Sequence, residues 1–192
     1  MDWIWYLFAF AGRVNRARMW LAALIIVCWM LILGFAVLGV STWFGMPVKS
    51  VHYSINDIFR IVDPDSLRAA VALLRNGKDI SAGKLVLGLV HLIAALLFLW
   101  VYMAASIKRL HDRNRSGWWM IAFLAVPGLF EQFADRIDDI LAAGLLGLTS
   151  AALLIWGGIE LFFLPGVRGD NRYGSDPLTP VPYRRPAVTY RP

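Results

Sequence analysis

Charged positions along the chain fall in clusters and leave long stretches with none. Met19 to Val48 contains no charged residue, and Leu85 to Ile107 holds no Asp, Glu, Lys or Arg and a single histidine, His91. Apolar runs of ~18 or more residues read as membrane spans, because a hydrocarbon layer of ~30 Å needs about 20 residues of helix. Backbone in lipid finds no water, so each run must satisfy its own amides as a helix. Spans are therefore predicted at about 19–40 and 85–107. A third apolar piece, Trp118 to Phe130, is short and contains Pro127. It crosses, over about 117–134, if Glu131 and Gln132 sit at the far interface, and is re-entrant otherwise. The fourth run, 140–164, is long enough and is interrupted only by Glu160. Ala143, Gly147 and Ala151 recur at four-residue spacing on it, a small-residue face that admits a neighbouring helix, from a second copy or another membrane protein.

The polar intervals carry shorter elements. Asp2 to Ala11 holds Trp3, Trp5, Tyr6, Phe8 and Phe10 and is too short to span, so it is predicted as an interfacial helix lying along the membrane. Between 47 and 84 two small amphipathic helices are expected on the outer surface. Ser54 with Asp57 opens the first as a capping box, and Asp63-Pro64 opens the second, which ends at Asn76-Gly77. After Pro165 the chain is rich in Pro, Gly and Arg. Residues 1–180 read as a single membrane domain and 181–192 as a flexible cytoplasmic tail.

Composition agrees with a lipid environment. The 192 residues are 59% hydrophobic and 17% charged, with a mean hydropathy of +0.60, whereas a soluble domain is about a quarter charged. Arg13, Arg16 and Arg18 could form the basic region of a signal peptide, but the apolar run behind them is too long and no A-x-A site closes it. It is expected to remain as an anchor. Cys28 is the only cysteine, which excludes an intrachain disulfide and a thiolate metal cluster. The net charge of +6 fits the positive-inside bias and does not call for nucleic acid. With the N-terminus, the 108–117 loop and the tail on one side, that side carries 12 Lys/Arg and 4 Asp/Glu, against 7 and 8 on the other. The expected fold is an all-α integral membrane protein: a four-helix transmembrane bundle, N-in and C-in, with an N-terminal interfacial helix and small outer-surface helices.

Three segments carry a family signature: GRVNRARMW (Gly12 to Trp20), KRLHDRNRSGWW (Lys108 to Trp119) and LPGVRGDNRYGSDP (Leu164 to Pro177). In that order, each beside a predicted span, they resemble the YhaH-like bacterial inner-membrane family, domain of unknown function 805. The 47–84 loop departs from that family's short members. The resemblance implies a location in the bacterial inner membrane and supplies no catalytic residues.

Under the expected topology the three motifs meet at one membrane face, which ranks Arg13, Arg16, Arg109, Arg113, Arg115, Arg168 and Arg172 at one depth. Guanidinium pairs bidentately with carboxylate or phosphate. The set therefore either fixes topology and locks helix ends to Asp112, Asp170 and Asp176, or binds anionic lipid. Glu160 is costly inside a span and needs a partner. At about 6 Å from the helix end it lies within reach of Arg109 or Arg16. Its rival role is a cation or proton site in a small oligomeric channel or transporter. His111-Asp112 resembles half of a metal phosphohydrolase motif, but His52 and His91 are predicted on the outer half, so no metal is expected, and His111 is assigned a hydrogen bond at a helix end. Asn171 is placed with Glu160, His111 and Asp112 as an interfacial polar residue, and the glycines of the third motif could form an anion nest, without the lysine of a phosphate-binding loop. No cofactor is implied. The leading expectation is a non-enzymatic protein that organises or contacts envelope components, with anionic membrane lipids as partners.

Overall fold

The computed structural model describes residues 2–43, 45, 82–134 and 136–179. The two predicted outer helices, His52, the side chain of His91 and the tail 181–192 lie outside the described residues. Those described are helical, with no strand among them.

Helix α1 (Trp3–Phe8) is opened by Asp2, whose Oδ1 accepts from the amides of Ile4 at 3.0 Å and Trp5 at 3.1 Å. Helix α2 (Arg16–Trp43) begins after Asn15, whose side chain accepts from the amide of Arg18 at 2.9 Å. Helix α3 runs Ala82–Asp112. After a sharp turn the chain forms one wide π turn, Ile121–Ala125, that leads into α4 (Val126–Ala134). Pro127 explains the widening, because its ring would collide with the carbonyl of Phe123 and it offers no amide to bond it. Helix α5 (Ile140–Gly158) starts on Asp139 and ends in a second π turn, Ile159–Phe163.

Among the described residues three helical stretches are long and apolar enough to cross a membrane: Arg16–Trp43, Leu92–Asp112 and Ile140–Phe163. The third predicted span is a shorter apolar helix, Ile121–Phe133. It runs antiparallel along α5. Phe123 packs on Trp156 with ring centroids 5.4 Å apart, and farther along Ser150 donates to the carbonyl of Pro127 at 3.3 Å. Helix α2 is apolar on all sides yet buries only Met19, Ala22, Val37 and Ser41. Such a surface is stable where the surroundings are themselves apolar.

The packed core is not central. Tyr6, Val14, Met19, Ala22, Ala105, Leu110, Met120, Phe123, Leu124 and Leu161 form one buried cluster. These positions come from α1, the start of α2 and the segment leading into it, the end of α3, the π turn before α4 with the residue ahead of it, and the π turn after α5, so burial concentrates at the end of the bundle that carries the three motifs.

An arginine clasp over two helix ends

Two helices, α3 and α5 with its π turn, finish at the same end of the bundle. The last carbonyls of a helix have no intrahelical donor and carry the negative end of its dipole. Two such ends side by side create a demand for donors and positive charge. The three motifs meet it.

The end of α3 is covered by backbone and amide groups. Val14 N–H donates to the carbonyl of Lys108 at 3.3 Å, Arg115 N–H to Leu110 at 2.8 Å and Val167 N–H to Asp112 at 2.9 Å. The Asn171 side-chain amide donates to the carbonyl of His111 at 2.9 Å. Asn114, at φ 57°, makes the reversal that brings Arg115 back over the helix.

The end of the last helix is covered by guanidinium groups. Arg109 donates to the carbonyl of Leu161 at 3.0 Å and to that of Leu164. Arg16 donates to Phe163 at 3.1 Å and Arg113 to Pro165 at 3.3 Å. These arginines come from the first and second motifs, and the carbonyls from the third and the turn before it.

Asp112 sits between the two ends. One oxygen accepts from Arg13 Nε at 3.2 Å and Nη2 at 3.1 Å, and the other pairs with Arg109. All three residues are buried. Arg13 spends its remaining donors on the carbonyls of Val167 at 2.7 Å, Gly169 at 2.7 Å and Gly174 at 3.1 Å. Its five N–H groups thus have five hydrogen bonds, the full capacity of the side chain. Gly174 reaches φ 135° to aim its carbonyl, and that backbone favours glycine. Gly166 is required for a different reason, since a Cβ there would collide with Asp112 Oδ2. The carboxylate is pinned by two guanidiniums and has nowhere to go. Gly166→Ala is therefore expected to cost about 1–3 kcal/mol through overpacking, read as a lowered unfolding midpoint of the detergent-solubilised chain.

Glu160 is buried and both of its partners are fixed. Its Oε1 lies 2.8 Å from Arg113 Nε and 2.8 Å from Arg115 Nε. The sequence pointed to Arg109 or Arg16. Both of these are near, but they are taken up by the helix-end carbonyls. His111 donates through Nδ1 to the carbonyl of Gly12 at 3.2 Å, and its ring stacks on Tyr173 at 3.8 Å. Tyr173 in turn carries Arg172 on its other contact, 4.7 Å from the ring centroid. The loop closes on itself through Asp176, which accepts from the amides of Leu178 at 2.9 Å and Gly169 at 2.8 Å, and these bonds hold its carboxyl below the usual carboxylate range. Arg16, Arg168 and Arg172 are exposed.

Lys108 is the residue that sequence reading missed. It is fully buried, with Nζ donating to the carbonyls of Trp5 at 2.8 Å and Tyr6 at 2.7 Å and lying 4.8 Å from the centre of the Trp5 ring. It docks α1. Tyr6 completes the attachment by donating to the carbonyl of Arg18, and burial pushes its hydroxyl up to about 12. The helical period could have found Lys108, because Val101, Ala104, Ala105 and Lys108 form one buried stripe.

The described residues thus define a helical protein with three helices long and apolar enough to cross a membrane, joined at one end by its three motifs. Residues 7–175 match the sequence profile of the family described as protein of unknown function (DUF805), and the chain belongs to that family. It is similar to the uncharacterized protein YiiR of Escherichia coli K12, 32% identical over 91 residues that cover 41% of this chain and 53% of YiiR. YiiR of Escherichia coli O157:H7 gives the same figures. The chain therefore spans about half the length of the curated relatives it matches. No solved structure matches it.

Proposed function

We propose that this is a non-enzymatic, four-crossing protein of the bacterial inner membrane, with both termini cytoplasmic, that organises or contacts envelope components through an arginine face turned toward anionic lipid. The observation that carries the reading is the clasp. It gathers the start of α2 and the ends of α3 and the last helix at one level, and leaves Arg16, Arg168 and Arg172 exposed there.

Length supports the four crossings. Ile140–Phe163 has 24 residues, about 36 Å of helix at ~1.5 Å per residue, which exceeds a ~30 Å hydrocarbon layer. Ile140 then lies at the face opposite the clasp. Gly117 lies at the clasp, against Ile107, which supports a crossing by the chain between Gly117 and Ile140. The excess of Lys/Arg on the clasp side favours the cytoplasm.

Two rival readings lose ground. A cation path needs Glu160 available, and two guanidiniums occupy it. A reaction centre would use the convergence of His111, Asp112 and arginines. That convergence exists, but Asp112 is saturated by Arg13 and Arg109, and His111 is fixed between Gly12 and Tyr173.

The test is extraction of the full chain with its surrounding native lipid, followed by mass spectrometry. Anionic phospholipid is expected to be enriched about threefold or more over the bulk membrane, in line with ~1 kcal/mol per exposed basic residue at the headgroup level. A lipid shell of bulk composition would overturn the reading, as would tags at either terminus reporting the periplasm.

A further inference from the structure

The clasp holds more positive charge than it uses. Arg16, Arg113 and Glu160 are all within electrostatic reach of Arg109, and the buried carboxylates among the described residues of the clasp are Asp112 and Glu160, with Asp176 in the loop near Arg13 and Arg168. Asp112 is consumed by Arg13 and Arg109, two buried groups. That leaves Glu160 alone facing Arg113 and Arg115, with Arg16 on the carbonyl of Phe163 one turn further along.

Both pairing arginines approach the same oxygen through the same atom. Arg113 and Arg115 each present Nε to Glu160 Oε1 at 2.8 Å. Among the described residues no Nη group of either arginine is hydrogen-bonded to the carboxylate. Arg113 spends one Nη on the carbonyl of Pro165. Neither the second Nη of Arg113 nor either Nη of Arg115 makes a hydrogen bond to another described residue. Glu160 is almost completely buried, while the side chains of Arg113 and Arg115 are 17% and 33% exposed. The acid is behind and the donors are in front.

The guanidinium of Arg115 is also held in place. It lies 5.0 Å over the ring of Trp119, which reduces the rotamer freedom it would lose on binding. Trp118 beside it is 77% exposed, and Trp20, on the first turns of α2, packs against Phe162 and Phe163. Tryptophans in this setting mark the headgroup level of a membrane. Two guanidiniums side by side, oriented by a buried acid and a ring and with free Nη groups outward, match the tetrahedral oxygens of a phosphate group.

We propose that Arg113 and Arg115, set on Glu160 and assisted by Arg16, form a discrete binding site for a phosphate group at the headgroup level, either the phosphodiester of an anionic lipid or a phosphate from solution. The site rests on the lipid-facing reading above and sharpens it from a diffuse attraction to one saturable position.

The test titrates the full-length chain in detergent with short-chain phosphatidylglycerol, short-chain phosphatidylcholine and inorganic phosphate, counting bound molecules by native mass spectrometry. Phosphatidylglycerol is expected to saturate at one per chain with at least tenfold preference over phosphatidylcholine. Arg115→Gln is expected to weaken it about tenfold, the equivalent of one charge-assisted contact, while Arg136→Gln, just after α4 and outside the clasp, leaves it unchanged. Arg113 still pairs Glu160 in Arg115→Gln, so the clasp stays closed. Glu160→Gln removes the competing carboxylate and should tighten binding severalfold. Displacement of the lipid by millimolar inorganic phosphate assigns the site to phosphate from solution, and no displacement assigns it to lipid. The proposal is overturned if Arg115→Gln binds like the parent chain or if Glu160→Gln binds more weakly. Equal binding of both lipids to the parent chain would remove the broader reading as well. Selective binding that survives Arg115→Gln would remove this site alone.

Discussion

Asp112→Ala is expected to be the most damaging single substitution in the chain, lowering stability by about 3–5 kcal/mol, the range for removing one partner of a buried ion pair. The reason is geometric. Arg13 and Arg109 are both buried, and both direct guanidinium N–H groups at this one carboxylate. Removing it strands two positive charges away from water while their other bonds hold them in place. Arg13 cannot swing out without releasing the carbonyls of Val167, Gly169 and Gly174, and Arg109 cannot without uncovering Leu161 and Leu164. The substitution should therefore undo the attachment of the C-terminal loop and the helix-end caps together. Asp112→Asn keeps the shape and one acceptor oxygen and should cost roughly half as much, since the residual bonds are then those of a neutral acceptor. Both are read from the unfolding midpoint of the purified chain and from its abundance in the membrane fraction. A change under about 1 kcal/mol for the alanine variant, the range of an exposed pair, would show that Asp112 is not the counter-ion on which the clasp closes.

The three motifs announce themselves in sequence because each places arginines beside an apolar run. Why they are rich in arginine is not visible there. The structural answer is that α3 and the last helix end together, and their carbonyls need donors from elsewhere in the chain. The apolar runs 19–40 and 140–164 lie in helices of similar extent, Arg16–Trp43 and Ile140–Gly158 with its π turn, whereas the run 85–107 lies in a helix whose span-length apolar stretch is Leu92–Asp112. Glu160 was readable as a residue requiring a partner, because a lone carboxylate in a span is expensive. Its partners were not. Depth along an axis says which arginines are level with it and nothing about which way they face. Arg113 and Arg115 reach it because Asn114 adopts a left-handed backbone and turns the chain back over α3, a local geometry that no periodicity signals. The exposed trio Arg16, Arg168 and Arg172 and the buried pair Arg13 and Arg109 look alike in sequence. The difference between them is a matter of which carbonyls come within reach.

Lys108 presents the opposite case, a residue that reads as part of a basic loop and proves to be buried. Lys108→Met is expected to release α1 from the bundle. The thioether keeps most of the apolar stem but cannot donate, so the carbonyls of Trp5 and Tyr6 lose their bonds at 2.8 Å and 2.7 Å. Each acceptor left without a donor costs about 1–3 kcal/mol, and somewhat more when the lost donor was charged. Trp5 retains one compensation, since its carbonyl still accepts from Ala9 N–H at 3.2 Å. The net loss should fall near 3 kcal/mol on that basis, concentrated in the attachment of a six-residue helix that cannot persist alone. Two other contacts then carry the load: Tyr6 to the carbonyl of Arg18, and Trp100 Nε1 to that of Phe8 at 3.1 Å. They hold the helix to α2 and α3 from either side but do not replace the donor that the Tyr6 carbonyl has lost. The expected result is faster proteolysis between Ala9 and Val14 and loss of amide protection over Trp3–Phe8, while the clasp residues keep theirs. Lys108→Arg should restore much of the protection, because a guanidinium can reach the same two carbonyls. Unchanged protection in Lys108→Met would mean that the aromatic contacts of α1, and not the ammonium, hold it in place.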